Sequence, residues 1–190
     1  ILAEEYDVCV VVGWEVMKSV NSKIGGDILG RAAYYEKEGR GIDLPFPKLF
    51  GRLADATIEK YGLEQNRYLD ALARISTINY SNAKRNPLAQ TRKWFMSYDE
   101  ASHRGTESNP NVGGLLGVSD CSQVTDGAAV VVLCSENYAR EKGLSNMAVV
   151  KGYGHRVAPM LFEKKIADNA GSRFVLPWTC QACMDAYRRA

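Results

Sequence analysis

Two long β-branched runs without polar alternation constrain this chain most. Residues 8–12 read Val-Cys-Val-Val-Val, and residues 128–134 read Ala-Ala-Val-Val-Val-Leu-Cys. Because polar residues do not alternate with apolar ones, we expect both faces of each strand to be covered, as in a layered α/β sheet. The second run leads into a predicted short helix that is capped by Ser135 and ended by Gly143. A third candidate strand covers residues 148–153. Strand followed by helix predicts an α/β fold.

The region between the first two strands, residues 18–120, is too long for a simple connection and predicts a subdomain of its own. Helical spacing of apolar residues predicts one helix over residues 48–61, ended by Gly62, and another over residues 64–78. At the far end, a further helix is predicted over residues 179–190, with Thr179 as its N-cap. Gly, Pro, Asn and Ser predict surface loops at residues 25–26, 39–47 and 103–117.

Charge and composition exclude several classes of protein. The chain has 24 Lys and Arg against 22 Asp and Glu, a net charge of +2, so nucleic acid is not the expected partner. No apolar run approaches the roughly 20 residues that span a bilayer. The five cysteines form an odd set without a disulfide pattern, which favours a reducing, cytoplasmic compartment. The first residues do not resemble a signal peptide, and we expect the chain to be an internal segment of a longer protein.

Few residues carry an obvious catalytic or metal-binding pattern. Cys180 and Cys183 form a C-x-x-C, but no second pair is available to complete a zinc site, so we interpret them as ordinary helix cysteines. His103 and His155 lie in Gly- and Arg-flanked loops without a triad signature. We therefore predict no metal site.

The segment over residues 119–127, Ser-Asp-Cys-Ser-Gln-Val-Thr-Asp-Gly, differs from these candidates. Small and hydroxyl-bearing residues immediately before a strand let a ligand approach the backbone closely and bond to it. From its composition, this segment is a candidate ligand-binding edge.

Residues 118–133, with their Asp-Gly-Ala-Ala turn, resemble the thiolase segment in which the chain leaves an inserted loop domain and returns to the core sheet. Residues 7–17 resemble the thiolase strand that ends in Gly-x-Glu-x-Met. The inserted region, through Asn-Pro at residues 86–87, is similar to the loop domain of the sterol-carrier-protein type. Asp-Cys-Ser at residues 120–122 and Gly-Tyr-Gly-His-Arg at residues 152–156 favour that branch.

The resemblance implies a five-layered α/β/α/β/α fold, present here in part, with an inserted and mainly helical loop domain. Residues 1–17 would end the N-terminal half and residues 18–117 would form the loop domain. Residues 118–146 would supply the return strand and helix of the N-terminal half, and residues 147–190 would begin the C-terminal half. By family analogy, we expect a homodimer or homotetramer in the cytoplasm, or in the peroxisome of a eukaryote.

The activity that the resemblance implies is acyl transfer between coenzyme A and a β-ketoacyl-CoA through a cysteine thioester, in either direction. The family's catalytic motifs do not occur in this sequence, so no catalytic role is assigned here. What the resemblance carries over is binding: Ser122 is implied beside the pantetheine arm of coenzyme A, and Val118 and Cys121 line the same groove. The basic residues Arg85, Arg92 and Lys93 are candidates for its phosphate end.

Two other functions remain open. The chain could be a thiolase-like protein that holds acyl-CoA or lipid without turning it over. A dinucleotide-binding domain is ranked last, because no G-x-G-x-x-G follows the first strand.

Overall fold

The computed structural model describes residue 1 and residues 3–190, which form helices with two small sheets. The helices are α1 (Ser22–Gly30), α2 (Tyr35–Glu38), α3 (Pro45–Tyr61), α4 (Gln65–Arg85), α5 (Tyr98–Ser102), α6 (Glu136–Glu141), α7 (Phe162–Ala167) and α8 (Pro177–Arg189). The strands are β1 (Val8–Glu15), β2 (Asn111–Gly113), β3 (Leu116–Gly117) and β4 (Gly127–Cys134), and a 3₁₀ turn covers Val118–Asp120. This mixture is consistent with the predicted α/β class.

The first two predicted strands are confirmed, and they pair with each other. β1 and β4 form an antiparallel ribbon in continuous register, from Val8 opposite Cys134 to Glu15 opposite Gly127. Both ends of the ribbon are fixed by an aspartate. Asp7 accepts a hydrogen bond from the Ser135 hydroxyl at 2.7 Å, and Asp126 accepts from the backbone N–H groups of residues 17 and 18 at 2.7 and 2.8 Å.

The expectation that both faces of these strands are covered is wrong for the described chain. Every residue of β1 is exposed, as is every residue of β4 except the half-buried Cys134. The physical reason is that the sheet has only these two strands among the described residues. A two-stranded ribbon has no inner face of its own.

The two predicted helices of the inserted region are present, and the second is longer than predicted. α3 ends at Gly62, whose φ of +57° places it in the left-handed region that glycine adopts without strain. α4 continues past residue 78 to Arg85. Its stop is set by Pro87, which disfavours helix in the residue before it, and Asn86 is extended at φ −86°, ψ 112°.

The three predicted surface loops are corrected in part. Residues 25–26 lie inside α1, and Pro45 begins α3, since proline is tolerated in a first helical turn. Residues 103–117 contain the β2–β3 hairpin and the fully buried Asn109. The side-chain amide of Asn109 forms three hydrogen bonds with the backbone of this irregular segment and its neighbours. It donates to the carbonyls of Glu100 and Ala101 and accepts from the N–H of Ser119.

The third predicted strand, residues 148–153, is wrong. This segment lies along α8 instead of entering a sheet, because Gly152 and Gly154, which follows the segment, pack directly on the helix backbone. A Cβ added to Gly154 would lie 2.7 Å from the carbonyl carbon of Ala182, and one added to Gly152 would lie 3.1 Å from that of Ala186. The helix begins at Pro177 with Leu176 as its N-cap, so the prediction of Thr179 as the cap is also wrong.

Candidate ligand-binding groove

A groove of about 390 Å³ lies between α4 and residues 119–123. Its volume is in the range of ordinary small-ligand sites. We call it the α4 groove and call residues 119–123 its wall. The helix contributes Leu72, Ile75, Ser76, Asn79 and Tyr80. The wall contributes all five of its residues, Ser119, Asp120, Cys121, Ser122 and Gln123, and Thr91 completes the lining.

The α4 side follows from helical spacing. Leu72, Ile75 and Asn79 recur three and four residues apart, and Tyr80 follows Ser76 by four, so these lining residues share one helix face. Leu72 and Ile75 make this face apolar at one end, and Asn79 makes it polar toward the other. An extended ligand with both methyl and amide groups therefore finds a matching surface along the helix.

The wall is fixed from beneath by buried polar contacts. The Ser76 hydroxyl donates to the Ser119 carbonyl at 2.8 Å. The Asn109 side-chain oxygen accepts from the Ser119 N–H at 3.0 Å. The Arg104 guanidinium donates two hydrogen bonds to the Asp120 carboxylate, at 2.8 and 2.9 Å. These bonds favour one geometry, because breaking any of them leaves a buried polar group unpaired and costs free energy. Among the described residues, two atoms of this cluster, Arg104 Nη1 and Ser119 Oγ, are buried without a hydrogen-bond partner.

Two of the three residues predicted to bind the pantetheine arm lie in the groove lining. Cys121 is half-buried and Ser122 is exposed, and both line the groove. Val118 is half-buried in the preceding 3₁₀ turn and is not a lining residue. Burial, followed by the negative charge of Asp120, raises the pKa of the Cys121 thiol. The thiol therefore stays neutral near pH 7 and is a poor nucleophile.

The basic residues suggested by the sequence are close along the chain to residues that line the groove but are not lining residues themselves. Arg85 ends α4, and Arg92 and Lys93 follow Thr91, which lines the groove. All three are exposed, and none of them forms an ion pair within the part of the chain that the structure describes. Lys84 lies over the Phe95 ring, 4.1 Å from its centroid.

The remaining sequence candidates do not assemble into a catalytic site. His103 is exposed, and its Nδ1 lies 2.8 Å from the Asp99 carbonyl oxygen. Cys180 and Cys183 are free thiols on α8. Within residues 1 and 3–190, no group of three or more His, Cys, Asp or Glu side chains is arranged to hold a metal ion.

His155 lines a second groove of about 400 Å³ beside α8, together with Arg156, Lys165 and Trp178. Arg156 is paired with Asp185 at 2.5 Å, which offsets its charge. This groove is remote in sequence from the predicted binding residues.

Sequence reasoning missed the contributions of α4, Arg104 and Asn109. The α4 side of the groove could have been predicted from the sequence, since Leu72 and Ile75 belong to the predicted apolar stripe and Asn79 continues the same helix face by one turn. No sequence pattern predicts the roles of Arg104 and Asn109, because their partners Asp120 and Ser119 lie 16 and 10 residues away across an irregular segment.

No family model matches the chain. It is 29% identical to an acetyl-CoA acetyltransferase of Methanothermobacter thermautotrophicus over 136 residues, which cover 72% of this chain and 32% of that protein. It is 31% identical to sterol carrier protein 2 of Oryctolagus cuniculus over 103 residues, 54% of this chain and 17% of that protein.

The chain is related to the thiolases. A third relative, non-specific lipid-transfer protein-like 2 of Caenorhabditis elegans, is 32% identical over 91 residues, 48% of this chain and 20% of that protein. The matched part of this thiolase-related chain thus spans about a third of the acetyltransferase and about a fifth of the other two relatives. No helix among the described residues is long and apolar enough to cross a membrane.

Proposed function

We propose that this chain supplies the coenzyme A groove of a thiolase-type acyltransferase. The observation that carries the proposal is the α4 groove, in which Cys121 and Ser122 line the same space as Leu72 and Ile75 of the helix. A second support is the similarity to an acetyl-CoA acetyltransferase. The proposed reaction of the whole protein is acyl transfer between coenzyme A and a β-ketoacyl-CoA.

The groove fits the pantetheine arm in its chemistry. That arm is narrow and carries two amides, a hydroxyl and a pair of methyl groups. Ser122, Gln123 and Asn79 offer hydroxyl and amide partners, and Leu72 and Ile75 offer apolar contact. In this assignment Ser122 binds the arm, Cys121 packs against it as a neutral thiol, and Val118 supports the wall from the turn behind it.

The phosphate end of coenzyme A is assigned to Arg85, Arg92 and Lys93. Their side chains are exposed and free of carboxylate partners among the described residues, so no ion pair must be broken before a phosphate binds. Residues 18–117 would act as the loop domain that covers the ligand.

The same proposal includes the five-layered arrangement, with divisions after residues 17, 117 and 146. It also includes a dimeric or tetrameric assembly and a cytoplasmic or peroxisomal location.

The acyl-transfer step itself is not assigned to residues of this chain. A cysteine nucleophile needs a base within hydrogen-bonding reach. Among the described residues, no cysteine thiol is hydrogen-bonded to His103 or His155. The role proposed for this chain is therefore binding and orientation of the thioester substrate.

The test is coenzyme A binding by the 190-residue chain, followed by calorimetry and by hydrogen exchange. We expect slower exchange of the amides of residues 119–123 when coenzyme A is added, and unchanged exchange there would remove the assignment. Ser122→Trp fills the groove and should weaken binding at least tenfold, since it removes a contact and blocks the space. The matched control is Ser145→Trp at an exposed position outside the groove. Equal affinities for the two variants would contradict the proposal.

A second candidate function is non-catalytic binding of acyl-CoA or lipid, which the similarity to sterol carrier protein 2 favours. The structural support for this second function is the apolar end of the α4 side, formed by Leu72 and Ile75. The two functions differ in what the groove recognises. Displacement of a fluorescent fatty acid by free coenzyme A indicates the coenzyme site, whereas displacement by fatty acids alone indicates the lipid site.

A further inference from the structure

We propose that Arg104 is a positioning residue for the α4 groove, and that it acts through Asp120 on the turn that carries Cys121 and Ser122. The inference rests on the proposed function of the groove as a coenzyme A site. It concerns a residue that lies outside the lining and touches no ligand in that assignment.

The Arg104–Asp120 contact is buried and bidentate. Arg104 Nε lies 2.8 Å from Asp120 Oδ2, and an Nη atom lies 2.9 Å from Oδ1. The two side chains are 7% and 4% exposed. A planar guanidinium that meets a carboxylate in this way fixes the carboxylate's orientation as well as its charge. Asp120 therefore has one favoured rotamer.

That rotamer closes the turn behind the wall. Asp120 Oδ2 also accepts the backbone N–H of Gly117 at 2.9 Å, across the 3₁₀ turn Val118–Asp120. Gly117 is required for the approach, because a Cβ there would lie 3.1 Å from Arg104 Cγ and 3.0 Å from Asn109 Cγ. The arginine, the aspartate and the glycine thus form one packed unit.

Ser119, the middle residue of the turn and the first residue of the wall, is held on both sides of its backbone. Asn109 accepts from its N–H, and Ser76 of α4 donates to its carbonyl. By contrast, the side chains of Cys121 and Ser122 form no hydrogen bond within residues 1 and 3–190. The placement of these two lining residues therefore depends on the turn before them, and Arg104 is the charged anchor of that turn.

The experiment uses the 190-residue chain and the variant Arg104→Lys. Lysine keeps the positive charge but cannot make two parallel hydrogen bonds to one carboxylate. We expect coenzyme A binding to weaken about tenfold, the effect that follows loss of one hydrogen bond to a charged group. We also expect the amides of Cys121 and Ser122 to exchange faster in the absence of coenzyme A.

Two controls separate positioning from stability. Arg74→Lys changes an arginine of α4 that pairs with Asp70 at 2.9 Å on the exposed surface. Ser135→Ala removes the N-cap of α6, whose hydroxyl accepts the Tyr138 N–H at 3.1 Å, and so lowers stability away from the groove. Both controls should keep the affinity of the unaltered chain within about twofold.

Asp120→Asn provides a second route if Arg104→Lys does not fold, because it keeps the side-chain shape and removes the charge. In a double-mutant cycle, Arg104→Lys with Asp120→Asn should weaken binding no more than the stronger single change, since both act through one contact. Additive losses would overturn the proposal.

The proposed function and the positioning role fail in distinguishable ways. Absence of coenzyme A binding by the unaltered chain overturns the groove assignment. Unchanged amide exchange at Cys121 and Ser122 in Arg104→Lys overturns the positioning role, whether or not coenzyme A binds. Unchanged affinity with a lowered melting temperature does so as well, because it shows that Arg104 stabilises the fold alone.

Discussion

Gly51→Ala tests whether the close approach of α3 to the β2–β3 hairpin stabilises the structure. Gly51 and Gly113 are both buried, and a Cβ on Gly51 would lie 2.8 Å from the carbonyl carbon of Gly113, and closer still to its oxygen. Replacing a helix-interior glycine by alanine favours the helix by about 1 kcal/mol. Forcing an extra carbon into a packed contact costs about 1–3 kcal/mol. The obstacle here is backbone that cannot change rotamer, so we take about 3 kcal/mol and expect a net loss of about 2 kcal/mol.

Gly26→Ala is the matched control, because Gly26 is also inside a helix but has room for the added carbon. Its nearest neighbour would be Leu44 Cδ2 at 3.5 Å, an ordinary contact with a flexible side chain. We expect this variant to gain up to about 1 kcal/mol. Urea unfolding followed by circular dichroism measures both values. If Gly51→Ala proves as stable as Gly26→Ala, the close approach does not exist in solution and the reasoning is wrong.

Three further predictions concern the groove and the ribbon. Because burial raises the pKa of the Cys121 thiol, less thiolate is present at any pH below that value, and iodoacetamide at pH 8 should modify Cys121 more slowly than the exposed Cys183; mass spectrometry measures the two rates, and faster reaction of Cys121 would contradict its burial. Asp126→Ala removes two hydrogen bonds to the N–H groups of residues 17 and 18, so we expect a loss of about 1 kcal/mol and faster exchange at those two amides; unaltered exchange would show that the ribbon end is held by other contacts. The 190-residue chain should not cleave acetoacetyl-CoA in the presence of coenzyme A, because no described cysteine has a hydrogen-bonded histidine; loss of acetoacetyl-CoA absorbance above the rate of a protein-free blank would contradict this.

The elements that were predicted correctly are those whose signal is local. The β-branched runs that became β1 and β4, the serine cap of α6 and the glycine stop of α3 are each decided by residues within one turn or one strand. The predicted end of α4 is wrong because asparagines in its last turns are weak helix formers, whereas the true stop is the proline that follows. The helix therefore continues through residues of low helix propensity until Pro87 prevents its extension.

The candidate groove was predictable only on one side. The hydroxyl-rich wall is contiguous in sequence, so composition and resemblance were enough to single out Cys121 and Ser122. The opposite side depends on where α4 packs, which is a tertiary fact. Residues 148–153 show the same limit, since their β-branched pattern predicts a strand whereas Gly152 and the following Gly154 allow closer packing on α8.

The distribution of buried polar groups gives the groove its physical character. The buried apolar residues in the described chain are mostly small, and they include Ala54, Ala73 and Ala101. The buried polar side chains include Ser76 and Asn109, which both bond to the backbone of Ser119 behind the wall. Apolar packing tolerates many arrangements, whereas a hydrogen-bonded network inside a protein permits few, because each unpaired group is costly. Specific geometry in this chain is therefore concentrated beneath Cys121 and Ser122, and a conservative change in a residue that no ligand touches should alter binding there more than a change on the exposed helix face.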